Sequence, residues 1–157
     1  RRMAITDNLT GLYARHYLNE QIQKRQRQDP GGSLILVDID FFKKVNDTYG
    51  HQIGDQILVQ VGNVIKSCIR ETDIAARWGG EELAVYLPMA RVEQALRVAD
   101  RIRQRVEAET EPDVTVSCGV SEWTQDDEKI SPETLFYRAD MALYAAKNSG
   151  RNTVISG

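Results

Sequence analysis

Two glycines followed by two carboxylates, Gly79-Gly80-Glu81-Glu82, stand between two strand-like apolar runs, residues 74–78 and 83–87. The glycines read as a hairpin turn that needs positive φ, a conformation that residues with a Cβ adopt poorly. Neighbouring residues of a strand point to opposite faces, but at a twisted hairpin mouth Glu81 and Glu82 can both approach one cation. The competing reading is a solvated polar hairpin tip. A second acidic pair, Asp38-Ile39-Asp40, closes the apolar run Leu34-Ile35-Leu36-Val37. A carboxylate at the end of a buried strand is held by rigid backbone. Mg²⁺ prefers oxygen donors and usually takes one or two carboxylates plus substrate phosphates, so Asp38 with Glu81 or Glu82, joined by the Ile39 carbonyl, makes a minimal set. Asp40 reads instead as a cap for the helix that follows.

Phosphate chemistry gathers around the same sequence positions. The amides of Phe41 and Phe42 open a predicted helix and are free to meet phosphate oxygens, with Lys43 beside them. Lys147 and Arg151 sit four apart at a helix end, where they either complement the helix dipole or clamp a polyphosphate. Asn46 and Asp55 flank Gly50 and Gly54. An ionised carboxylate only accepts hydrogen bonds, so it suits the adjacent N–H donors of guanine's Watson–Crick edge and opposes adenine's acceptor nitrogen. Taken singly, each of these two residues also reads as a helix cap. Arg70 and Asp73, three apart before the hairpin, read as a local ion pair at a helix end.

These residues need a scaffold, and hydrophobic periodicity supplies one. Residues 13–28 carry Tyr17, Leu18 and Ile22 at helical spacing, and 33–39 is apolar on both faces, as a central covered strand should be. A short helix over 41–49 is broken at Gly50. Ile53, Ile57, Val61, Val64 and Cys68 then stripe a longer helix, and Val92, Ala95, Ala99, Ile102 and Val106 stripe another over about 91–107. Residues 114–120 alternate apolar and polar like a half-covered strand, and 123–129 reads as an acidic loop or small hairpin. Ser131-Pro132-Glu133 is a strong helix start, Gly150 a stop, and 153–155 a last edge strand. The expected fold is α+β: helices over a mostly antiparallel sheet, with a βαββαβ core.

Length and composition bound the reading. The 157 residues suit one domain, 1–157, with no linker, repeat or low-complexity segment. A net charge of −3 argues against a nucleic-acid binder. No apolar run approaches the roughly 20 residues that span a bilayer, so no membrane contact is expected and the cytoplasm is the expected compartment. Cys68 and Cys118 fall on apolar faces and read as buried free thiols.

Five segments in order carry a family resemblance: Asp7-Asn8-Leu9-Thr10-Gly11-Leu12, residues 38–47, residues 50–55, Arg77-Trp78-Gly79-Gly80-Glu81-Glu82-Leu83 and residues 146–152. Together they resemble the GGDEF domain, the catalytic domain of bacterial diguanylate cyclases, from about residue 7 to residue 154. The resemblance implies a fold related to nucleotidyl cyclases and polymerase palms, and the condensation of two GTP into cyclic di-GMP with release of pyrophosphate. It implies Mg²⁺ or Mn²⁺ at Asp38, the Ile39 carbonyl and Glu81, with Glu82 a further acid; Glu81 is then a metal ligand only, or also the base for the 3′-hydroxyl. It assigns guanine to Asn46 and Asp55, phosphates to Lys43, Lys147 and Arg151, and close nucleotide approach to Gly79-Gly80. It further implies a homodimer, because each GTP attacks the other, and product inhibition at an RxxD site, Arg70 to Asp73, completed by Arg97 and Arg101. The chain, which opens on Arg1-Arg2, would be the C-terminal part of a longer signalling protein, membrane-anchored or not. Leu83 replaces the family's Phe and Trp78 a smaller aromatic; Leu83 is expected to face the core. The alternative function is a silent module that binds GTP or cyclic di-GMP, against which the intact acids weigh.

Overall fold

The computed structural model describes residues 4–127 and 130–157. Its central strand is β2 (Gly31–Ile39), buried along its whole length as its unbroken apolar run requires. β4 (Glu82–Pro88) and β5 (Val116–Thr124) pair antiparallel on its two sides. β3 (Ile74–Arg77) joins β4 as a hairpin, so Leu83 pairs with Arg77. Two edge strands complete the sheet: β1 (Tyr13–Ala14), parallel to β3, and β6 (Val154–Ser156), parallel to β5. The order is β1-β3-β4-β2-β5-β6. The sheet is therefore mixed, antiparallel at its centre and parallel at both edges.

Side-chain alternation along β2 sends its residues into two cores. Ile35, Val37 and Ile39 face one, with Leu83, Val85 and Cys118, beneath α3 (His51–Cys68) and α4 (Val92–Glu109). Leu34 and Leu36 face the other, with Ala84, Tyr86 and Trp123, beneath α1 (Arg15–Gln28) and α5 (Pro132–Asn148). Even positions of β2 thus look toward α5, which sets the direction of Asp38. The closeness of α5 has its own cause: a Cβ at Gly119 would collide with the backbone of Ala139 and Leu143, so glycine lets the helix lie directly on β5. The short α2 (Phe42–Tyr49) follows β2, and α3 begins straight after Gly50 at φ 90°. The segment from β2 through α3, β3, β4 and α4 to β5 is the expected βαββαβ core.

Three expectations change. The first helix starts at Arg15, because Tyr13 and Ala14 pair with Ala76 and Arg77 instead. The strand expected over 114–120 runs from Val116 to Thr124 and is buried from Val116 to Ser121. Its alternating polar residues do not face water: Ser117 donates to Asp40 (2.7 Å) and Ser121 to the Leu135 carbonyl (2.8 Å). Trp123, expected in a loop, is a buried strand residue whose Nε1 donates to the Tyr86 hydroxyl at 2.8 Å. Glu128 and Lys129, at the end of that expected loop, lie outside the described residues. Cys68 and Cys118 are buried and unpaired, and burial pushes the Cys118 thiol well up. Among the described residues no helix is long and apolar enough to cross a membrane.

Candidate active site

Asp38, one residue before the end of β2, lies between Glu82 of β4 and Ser117 of β5, and points toward α5. There its carboxylate meets the ammonium of Lys147, which the buried Ala139, Leu143 and Ala146 of α5 hold in place. Burial pushes the Asp38 carboxyl above its ordinary value; the Lys147 ion pair offsets this only in part, and Asp40 adds to it. Glu82 is pushed up by burial, then by Asp38 and Asp140; Glu81 by burial, then by Asp38. Burial alone would depress Lys147, but its hydrogen bond and ion pair with Asp38, reinforced by Glu82 and Glu81, raise it. At all three acids burial is the largest cause, ahead of the neighbouring charges.

A pocket of ≈200 Å³ opens at this corner. Asp38, Glu81, Lys147 and Arg151 line it, together with Ile39 and the start of α2. The Glu81 carbonyl accepts from the Ile39 N–H at 3.3 Å, which ties the turn to β2. Glu82 adjoins Asp38 through the β2–β4 pairing but is not part of the wall. Phe41, just before α2, has φ 55°, and the helix has no side-chain cap and no acid in its first turn, so its leading amides remain open to an anion. After α5, Gly150, Arg151 and Asn152 all have positive φ and curl the chain back over this helix start. The Arg151 guanidinium stands 4.6 Å above the Phe41 ring.

Asp40 holds that return loop and does not cap α2. Its carboxylate accepts from Thr115 Oγ1 (2.7 Å), Ser117 Oγ (2.7 Å) and the Asn152 N–H (3.1 Å). Nothing local in the sequence separates a capping aspartate from one that reaches across to β5 and the chain end. The glycine reading also changes. Neither Gly79 nor Gly80 lies in the left-handed region, and a Cβ on Gly80 would meet nothing within 4 Å. Their value is an open surface rather than a positive φ. Leu83 is fully buried, as expected. Trp78 stacks on Phe136 (4.0 Å between centroids), with the Arg15 guanidinium 3.9 Å from its ring.

The remaining predicted residues lie apart from the pocket. The Asn46 carboxamide packs where a Cβ on Gly54 would stand, so Gly54 brings α2 and α3 together beside the exposed Asp55. Arg70 and Asp73 form a backbone lock instead of an ion pair: the Asp73 carboxylate accepts from the Arg70 N–H (2.8 Å), and the Asp73 N–H donates to the Arg70 carbonyl (3.0 Å). The Arg70 side chain is exposed. Arg97 and Arg101 line a separate depression of ≈380 Å³ on α4, which Arg70 and Asp73 do not border.

A cation fits the acidic corner. Among the described residues no three acids, histidines or cysteines stand close enough to form a ready-made metal cluster. Yet hard oxygen donors from Asp38, Ile39 and Glu81 share one wall, and the Lys147 ammonium already stands in for a cation on Asp38.

Carboxylates near strand ends, opposed by cations and an open helix start, share one pocket of an α+β domain. Comparison with known proteins makes the class specific. The model for "Diguanylate cyclase, GGDEF domain" matches residues 4–153. The chain is 54% identical to the protein YtrP of Bacillus subtilis over 96% of its own length and 26% of that protein. It is 41% identical to diguanylate cyclase A of Treponema denticola, covering 97% of this chain and 44% of that one. The GGDEF domain of DgcB from Caulobacter crescentus, solved in complex with c-di-GMP, superposes with a TM-score of 0.89 at 33% identity, covering 99% and 97% of the two chains. The chain belongs to the GGDEF domain family. It spans less than half the length of these curated relatives.

Proposed function

We propose that this domain condenses two GTP molecules into cyclic di-GMP and releases two pyrophosphates. The observation that carries the reading is the convergence of Asp38, Glu81, Lys147, Arg151 and the open start of α2 on one pocket. Asn46 and Asp55 would bind guanine, the carboxylate accepting from its N–H edge. The α2 amides, Lys43, Lys147 and Arg151 hold the phosphates and stabilise the charge that develops on the leaving pyrophosphate. Asp38, the Ile39 carbonyl and Glu81, with Glu82 adjoining, would hold Mg²⁺ or Mn²⁺. That ion, when bound, supplies Lewis-acid polarisation of the α-phosphate.

The 3′-oxygen of each GTP bonds to the α-phosphorus of the other, and the bond from that phosphorus to pyrophosphate breaks. Glu81, whose carboxyl is held above its ordinary value by burial and Asp38, would take the 3′-hydroxyl proton. One pocket holds one GTP, so two copies of the domain face each other, and the second bond forms by the same chemistry in the opposite direction. The exposed Arg70 beside Asp73 is the site of product inhibition. The domain acts in the cytoplasm, where GTP is available, as the catalytic unit of a longer signalling protein. Incubation with GTP and Mg²⁺, followed by chromatography, should yield cyclic di-GMP and pyrophosphate. Hydrolysis to GDP alone, or recovery of intact GTP at high protein concentration, would refute the reading.

A further inference from the structure

The exposed glycine turn is closed by two backbone hydrogen bonds, both to the Glu82 carbonyl. A Cβ at Gly80 would meet nothing within 4 Å and one at Gly79 only Glu82 Cβ at 3.9 Å, and glycine loses more conformational freedom on ordering than any other residue. One side chain compensates. The guanidinium of Arg77 folds back over the turn: Nε lies 3.3 Å from the carbonyl oxygens of both Gly79 and Gly80, and Nη2 lies 2.9 Å from that of Gly80. Nη1 reaches Asp7 Oδ1 at 3.4 Å. Asp7 is itself anchored, accepting from the Thr10 N–H (2.8 Å) and hydroxyl (2.7 Å). Arg77 therefore ties two peptide carbonyls to a fixed loop on one side of the hairpin.

Peptide planarity gives this a consequence. In a trans peptide the C=O and the following N–H point in opposite directions. Fixing the Gly79 and Gly80 carbonyls toward Arg77 turns the N–H groups of Gly80 and Glu81 away from it. Among the described residues those two amides make no hydrogen bond, whereas those of Trp78 and Gly79 donate to the Glu82 carbonyl (2.8 and 3.1 Å). The hairpin tip separates two spaces. Arg77, Gly79 and Gly80 line one with Asp7, while Glu81 lines the other with Asp38 and Lys147.

We propose that Arg77 is a positioning residue that presents the Gly80 and Glu81 amides to the phosphates of the bound nucleotide, with Asp7 holding the guanidinium in place. The inference rests on the GTP-condensing reading of the same corner. A single point charge cannot serve both carbonyls, whereas the planar, forked guanidinium can.

Arg77→Ala, Arg77→Lys and Asp7→Asn test this. Arg77→Ala should lower kcat about 100-fold, the loss expected when reacting groups are misplaced by about an ångström. GTP affinity should stay within about threefold, because the guanine and phosphate contacts of α2, α3 and α5 are elsewhere. Arg77→Lys should recover less than a tenth of the lost rate, Asp7→Asn should lose about fivefold, and guanidinium added at a non-denaturing concentration should restore Arg77→Ala at least tenfold. Full activity in Arg77→Lys, or a rate loss in Arg77→Ala matched by loss of folded protein, would overturn the proposal. An independent arm uses amide NMR of the nucleotide-free chain: the Gly80 and Glu81 resonances should shift and broaden in Arg77→Ala, and unchanged resonances would overturn the proposal. If the unaltered chain makes no cyclic product, the condensation reading falls, while the amide measurement still decides whether Arg77 orders the turn.

Discussion

Replacing Lys147 by Met separates the two roles given to this side chain. Its ammonium sits on Asp38, the carboxylate expected to hold the metal, and so competes with it. The Asp38 side chain is only 9% exposed and that of Lys147 34%, which places the pair between a surface and a buried ion pair. Breaking a buried pair by removing one partner costs about 3–5 kcal/mol, and exposed pairs contribute about 1 kcal/mol or less, so with solvent screening this one amounts to about 1–2 kcal/mol. A cation binding to Asp38 must first overcome that amount. Lys147→Met removes the competitor and should tighten Mn²⁺ or Mg²⁺ binding about tenfold in the absence of nucleotide. The same change removes a charge that stabilises departing pyrophosphate, a loss comparable to deleting one transition-state donor, so kcat should fall about 10²–10³-fold. Titration calorimetry with Mn²⁺, without GTP, reads the first effect, and steady-state assays read the second. Weaker or unchanged metal binding in Lys147→Met would refute the idea that the ammonium stands in for the cation.

The acids predict a stability effect of unusual sign. Glu82 is raised from its ordinary 4.5, so its contribution to stability is present below that pH and is lost as pH rises through its folded value. With solvent screening of this half-exposed carboxyl, Glu82→Gln should therefore raise stability at neutral pH by less than about 1 kcal/mol, a rise of up to about 2 °C in Tm, and abolish turnover. The gain should vanish near pH 4, and a Tm below that of the unaltered chain at neutral pH would contradict it. Arg70→Ala should weaken cyclic di-GMP binding at least tenfold by calorimetry and leave the initial rate within about twofold. Unchanged product affinity would remove the inhibitory role of that residue.

What the sequence made legible follows the strength of each physical signal. A continuous apolar run could only be a strand covered on both faces, and β2 is one. Ser131 caps α5 as its position before Pro132 demands, its hydroxyl accepting from the Thr134 N–H at 3.1 Å. The two-residue β1 had no periodicity to betray it, and its parallel pairing with β3 is a tertiary event. β5 looked half-solvated because its Ser residues are polar, yet their hydroxyls are satisfied by Asp40 and a helix carbonyl. The placement of Asp38 near a strand end and of Lys147 near a helix end was legible, because an apolar run bounds the one element and the Gly150 stop the other. Arg77 and Asp40 were not, because each acts through contacts with segments distant in sequence. Gly79 and Gly80 were located correctly and explained wrongly: openness, not backbone strain, distinguishes them.

The central claim is that one corner holds a GTP and two facing corners join a pair. The most direct measurement is the initial rate of cyclic di-GMP formation as a function of chain concentration at saturating GTP and Mg²⁺. The account predicts a specific activity that rises with concentration and levels off once the chains are paired. Cyclic di-GMP formed at a specific activity independent of concentration by a chain that sedimentation shows to be monomeric would contradict it.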